Sequence, residues 1–155
     1  MKLELKNIKV FKGIGLDGYA FTSSFYAENK KVGVISNSGG GEPVDFEGNE
    51  EIYIKVKRYL NSLPSEVFKG KEIHQDIESF CCEKINEHLK MKEFESAIKK
   101  TILFREAGNN FLMQQPLIGV KKIEQRHLDA FRKRHPNRVV LNDMRIDKAL
   151  ALFEQ

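Results

Sequence analysis

The alternation between Tyr19 and Ile35 constrains this chain more than any other stretch. Tyr19, Phe21 and Phe25 alternate with Ala20, Thr22 and Ser24, the period-two pattern of a strand with one buried face. Glu28-Asn29-Lys30 is polar and supplies a turn, Asn29 tolerating positive φ. Val32, Val34 and Ile35 then open a second strand. Two strands alone are marginal in water, so further strands and a helix must cover the buried face. Leu3 and Leu5, then Ile8 and Val10, supply a preceding strand, with a change of phase near Asn7. The run Ser36 to Glu42 turns the chain into a fourth strand, Pro43 to Phe46.

Helical spacing takes over after Asn49. Asn49 reads as an N-cap, with Glu50 and Glu51 in the first turn. Ile52, Val56, Tyr59, Leu60 and Leu63 form one stripe, and Pro64 ends the helix. Ile77, Cys81, Ile85 and Leu89 recur every four residues. They predict a helix from Glu72 to Met91, followed by a short one from Glu93 to Lys100. Thr101–Arg105 and Phe111–Gln114 read as a small hairpin around Gly108-Asn109-Asn110. A basic helix, Ile123 to Arg134, turns Ile123, His127, Ala130 and Phe131 to the core. Asn142 or Asp143 caps a last helix with the stripe Ile146, Ala149, Leu150 and Phe153. The expected fold is therefore α+β. An antiparallel sheet of three to four strands fills residues 1–48. Helices fill 49–100, and a small hairpin, a basic helix and a C-terminal helix fill 101–155. Together they make a single domain of residues 1–155.

Several chemistries are excluded on spacing. Gly13, Gly15 and Gly18 make a Gly-x-Gly-x-x-Gly string, but a strand follows it where a dinucleotide fingerprint needs a helix. His74, Cys81 and His88 are seven apart. On a helix that is a rise of about 10.5 Å per step, and donors around one zinc lie within about 4 Å of one another. No metal, cofactor or catalytic residue is expected. Cys81 and Cys82 are adjacent, which rules out an ordinary structural disulfide between them. Met1 to Lys6 carries charges where a leader would be apolar, and no apolar run reaches membrane-spanning length. A cytoplasmic protein without a membrane partner is expected.

The formal charge of +4 is concentrated. Residues 108–155 hold nine Lys and Arg against five Asp and Glu, while the two preceding segments nearly balance. Lys121, Lys122, Arg126, Arg132, Lys133, Arg134 and Arg138 form a local basic patch able to meet an acidic protein face or a nucleic-acid backbone. Ser36, Asn37, Gly39, Gly40 and Gly41 make a second candidate, a loop whose backbone could cradle an anion. Glu42 opposes that use, and a turn is the simpler reading.

The run Asn29-Lys30-Lys31-Val32-Gly33, then Ser36-Asn37 and Gly39-Gly40-Gly41, resembles a family of small uncharacterised proteins of bacteria, phages and plasmids. Leu63-Pro64, Asn86-Glu87, Lys100, Leu103, Phe104 and Ala149-Leu150-Ala151-Leu152 extend the resemblance over most of the chain. Asn29 stands where that family often has Gly, and Ser38 where it often has Asp. The resemblance implies a protein of mobile elements and carries no catalytic residues with it. Three functions follow. The first is a non-catalytic binding protein that docks on a bacterial or phage macromolecule, with inhibition of a host defence nuclease as one form. Its partner would be a protein or a protein–nucleic-acid complex met through the basic surface. The second is an enzyme with a site near Ser36–Gly41 and the His or Cys residues of the long helix. The third is a nucleic-acid-binding accessory protein using the basic patch.

Overall fold

A computed structural model of the chain describes residues 1–11, 19–68, 71–106, 108 and 111–153. The Gly13–Gly18 string lies outside them. The order of elements is β1 (Leu3–Phe11), β2 (Ala20–Ala27), β3 (Lys30–Asn37), β4 (Asp45–Gly48) and α1 (Glu50–Asn61). There follow β5 (Glu66–Phe68), β6 (Lys71–Ile73), α2 (Ile77–Lys100), β7 (Thr101–Glu106) and β8 (Met113–Pro116). The chain ends with α3 (Gln125–Arg134), β9 (Arg138–Val140) and α4 (Ile146–Phe153). The fold is α+β, as its sequence pattern predicts. Two compact units can be distinguished, Met1–His88 and Leu89–Gln155, with α2 running from the first into the second. None of the described helices is long and apolar enough to cross a membrane.

In the first unit a four-stranded antiparallel sheet runs in the order β1-β2-β3-β4. Phe21, Ser23, Phe25 and Ala27 form its buried face on β2, so Phe21 and Phe25 lie on the face that the alternation assigns them. Tyr19 stands just outside the strand and is exposed. The turn is tighter than expected. Glu28 (φ 49°) and Asn29 (φ 63°) alone form it, and Lys30 already belongs to β3. Two successive residues at positive φ are the signature of the mirror-image turn that matches strand twist. Lys2 holds this turn: its backbone N–H donates to Glu28 Oε1 at 2.8 Å, and its Nζ donates to Asn29 Oδ1 at 3.1 Å.

The change of phase near Asn7 is present as a register shift between Lys6 and Lys9, with Asn7 at φ 57°. It frees the Lys6 carbonyl, which accepts a bond from the buried Ser23 hydroxyl at 2.9 Å. A buried hydroxyl without such a partner would cost about 1–3 kcal/mol.

Gly33 and Gly48 oppose each other across β3 and β4. A Cβ on Gly33 would lie 2.3 Å from the Glu47 carbonyl oxygen and 2.8 Å from the Phe46 ring. The bare backbone is thus the seat of Phe46, which stacks on Tyr53 of α1 with centroids 4.0 Å apart. Phe25 meets Phe46 and Phe80 edge-on at 6.4 and 6.2 Å. Asn49 caps α1, its Oδ1 accepting from the Ile52 N–H at 3.0 Å. The buried line of α1 is Tyr53, Val56 and Leu60. Ile52, Tyr59 and Leu63 flank it, so the stripe is centred one residue away from the expected one.

The helix expected from Glu72 begins at Ile77. Its first turn is capped by Asp76, whose Oδ1 accepts from the Ser79 N–H at 2.8 Å. Residues 66–73 instead pair as a short hairpin, β5 with β6. The expected break before Glu93 is absent: Lys90 to Glu93 are all good helix formers, and α2 continues to Lys100.

In the second unit the small hairpin of β7 and β8 is present, and β9 joins β7 on the other side, giving the order β8-β7-β9. One core holds Ile102, Phe104, Ile123, Leu128, Phe131 and Val140, with Met113, Leu117 and Val120 packed on it. Another holds Phe94, Leu103, Leu141 and Ala149. Asn142 does not cap α4. Its Oδ1 accepts from the Leu103 N–H at 2.8 Å, and its Nδ2 donates to the Ile98 and Thr101 carbonyls at 2.9 and 2.8 Å. It ties the end of α2, the start of β7 and the 141–145 turn together. Ile146 of α4 is exposed, while Ala149 is buried.

Candidate functional site

The basic patch is built on α3. Phe131 packs on Phe104 of β7 with ring centroids 4.9 Å apart, and Leu128 is buried one turn earlier. These two residues fix which face points out. Ala130, expected in the core, is exposed. The reason is that Ile123, though buried, precedes the helix, which starts at Gln125, so helical spacing counted from Ile123 does not hold. At the N-terminus the Glu124 backbone N–H donates to His127 Nδ1 at 2.9 Å, and the Ile123 N–H donates to the Lys99 carbonyl at 2.9 Å.

With Leu128 and Phe131 inward, Arg126 and Lys133 fall on the outward face. They are seven residues apart, about two turns and about 10.5 Å along the axis. Arg134 is exposed beside Lys133, and Lys121 and Lys122 are exposed ahead of the helix. The seven cations are not equivalent. Arg126 pairs with Glu124 at 2.9 Å. Arg132, half covered, bonds to Asp129 at 3.4 Å and to Asp143. Arg138 pairs with Glu106 at 3.1 Å and lays its guanidinium over the Phe104 ring at 4.6 Å. Arg132 and Arg138 therefore do not simply point to solvent. Among the described residues no ion pair reaches Lys121, Lys122, Lys133 or Arg134. The available charge lies at the two ends of α3, with carboxylates between. The i, i+3 spacing of Asp129 and Arg132 was legible in the sequence. The Asp143 and Glu106 partners come from distant segments and were not.

The Ser36–Gly41 loop satisfies itself. The Gly39 N–H donates to Asn37 Oδ1 at 2.6 Å, and Asn37 Nδ2 donates to the Glu42 carbonyl at 2.9 Å. The Gly40 N–H donates to Ser38 Oγ at 3.2 Å, and the Ser38 hydroxyl donates to Glu42 Oε2 at 2.5 Å. That hydroxyl bond, with a smaller contribution from backbone N–H groups, holds the Glu42 carboxyl below the usual range. An anion would compete with a carboxylate already seated there. The loop is also one wall of an open groove of about 410 Å³, lined by Tyr19, Phe21, Val44, Glu78 and Ile85 among others. Cys81 and Cys82 line it too. Burial pushes the Cys81 thiol up to about 12, with the Glu78 carboxylate adding to the effect. It is a poor nucleophile, because the thiolate is the reactive form. Cys82 is exposed, with Asn86 Nδ2 3.5 Å from its sulfur. His74 lies outside α2 and is exposed, and neither His74 nor His88 lines the groove. Among the described residues no group of three His, Cys, Asp or Glu side chains could hold a metal ion.

Set against protein-family models, curated proteins and solved structures, the chain matches none.

Proposed function

We propose that the protein is a non-catalytic binding protein that docks on an acidic protein surface through the outward face of α3 and the Lys121-Lys122 segment before it. The observation that carries this reading is the arrangement of charge on α3. Lys121, Lys122, Lys133 and Arg134 are exposed and free to pair, while Glu124, Asp129, Asp143 and Glu106 pair with Arg126, Arg132 and Arg138 of the same segment. A phosphate backbone presents one sign of charge everywhere and would meet those carboxylates unfavourably. A protein face can place its own cations opposite them, which is how complementary interfaces set register. Ile118 and Val139 of the same unit are exposed as well, and protein interfaces mix apolar with charged side chains.

The groove in the first unit supports an enzyme less well, because its buried thiol is held protonated and no histidine lines it. As an inhibitor of a host defence nuclease, in line with the resemblance to mobile-element proteins, the chain would meet an acidic face of its target. The DNA-binding cleft itself would be basic and would repel α3. The test is recovery of the tagged chain from bacterial cells that carry it, identification of the bound protein, and titration of that purified protein. Lys133→Glu with Arg134→Glu should weaken binding strongly and leave the melting temperature unchanged. Equal binding by the double variant would refute the reading, and recovery of nucleic acid alone would favour the accessory-protein alternative.

A further inference from the structure

Between β8 and α3 the chain alternates between anchored and displayed residues. Leu117 and Val120 pack on the core of the second unit, and Ile123 is part of it. Between these anchors Ile118, Lys121 and Lys122 are exposed, and Ile118 is fully so. The Val120 N–H donates to the Leu117 carbonyl at 3.2 Å, closing a turn with Ile118 and Gly119 at its corners. Gly119 has φ 77° and Ile118 is not at positive φ, which is the pattern of a type II turn. Glycine there meets the turn's demand without strain. The turn is thus preformed, held at both ends, and presents one large β-branched apolar side chain beside two cations. Ile118 is fully exposed, so its side chain buries no apolar area against its own fold. Preformed display reduces the ordering cost that a flexible loop would incur on binding.

We propose that Ile118 is the apolar anchor of the docking surface, inserting into a hydrophobic pocket rimmed by carboxylates on a protein partner, with Lys121 and Lys122 pairing to that rim. This rests on the α3 docking reading and specifies the partner's chemistry. Anchors of this kind, buried at the centre of an interface and ringed by polar contacts, carry a disproportionate share of affinity.

The test uses the full chain with the photo-crosslinking residue p-benzoylphenylalanine at position 118, and a control with it at position 67, where Val67 is exposed in the other unit. Adducts formed in bacterial cells that carry the chain are identified, and the crosslinked protein is purified and titrated. A protein adduct specific to position 118 is expected, with Ile118→Ala binding it at least about tenfold more weakly. Ile118→Leu should bind within about threefold of the natural chain, and all variants should melt at the same temperature. If Ile118→Ala binds as the natural chain does while Lys133→Glu with Arg134→Glu does not, the anchor is wrong and the docking reading stands. If neither variant changes binding, both fail. No adduct at 118, or adducts only with nucleic acid, lipid or another copy of this chain, also overturns the proposal.

Discussion

Replacing Asn142 by alanine tests how the second unit ties the 141–145 turn to the end of α2 and the start of β7. The side chain makes three hydrogen bonds of 2.8–2.9 Å, to the Leu103 N–H and to the Ile98 and Thr101 carbonyls. Their pattern fixes the amide orientation, since only the oxygen can accept and only the nitrogen can donate twice. Each bond contributes about 1 kcal/mol net, and a partner left dry costs about 1–3 kcal/mol. Asn142 is only half buried, so water can reach some of the orphaned groups. The expected loss is therefore about 2–4 kcal/mol, toward the lower end of the sum. For a chain of this size that is a fall of about 4–16 °C in melting temperature. Asn142→Asp should be no better, because its second oxygen would face two carbonyls. Urea unfolding gives the free energy, and hydrogen exchange at the Leu103 amide reports the lost bond locally. A loss below about 1 kcal/mol, with Leu103 exchanging as slowly as before, would refute the reasoning.

Four further outcomes follow from the same structure. Iodoacetamide at pH 8 should label Cys82 and spare Cys81 in the folded chain, read by mass spectrometry of the intact protein; labelling of both would contradict the burial of Cys81. The folded Cys81 thiol titrates near 12 against an ordinary 9.0. Its contribution to stability is complete below pH 9 and is lost as pH rises toward 12, by about 2 kcal/mol at about pH 10.5. Cys81→Ala should remove that part of the pH dependence. Gly33→Ala should cost more than about 2 kcal/mol, because its Cβ would meet the Glu47 carbonyl and the Phe46 ring. An unchanged melting temperature would mean the β3–β4 pair is looser than described. His127→Gln should keep the α3 cap, since glutamine at that position makes the same bond to the backbone N–H, while His127→Ala should lose about 1 kcal/mol.

What was legible in the sequence was local. The β2–β3 hairpin, the change of phase at Asn7, the Asn49 cap and the β7–β8 hairpin each rest on signals within a few residues. Hidden features depend on distant partners or on elements too short to show a period. The β5 and β6 strands have three residues each, so neither repeats a pattern. Ala130 is exposed and Leu128 buried because the packing of Phe131 on Phe104, and not the position of Ile123, sets the orientation of α3. The basic patch was legible as composition. Its division into paired and available cations was not, because Asp143 and Glu106 reach Arg132 and Arg138 only in the folded chain. Ile118 as a displayed residue was equally hidden, since a Leu-Ile-Gly-Val run reads as apolar until the turn shows which side chains point out.

The most direct test of the docking account is the association rate of the identified partner protein as a function of salt, for the natural chain and for Lys133→Glu with Arg134→Glu. The account predicts a rate that falls about tenfold or more between about 0.05 and 0.5 M salt for the natural chain. The double variant should associate slowly at low salt and show little salt dependence. Identical rates for the two chains at every salt concentration would contradict it.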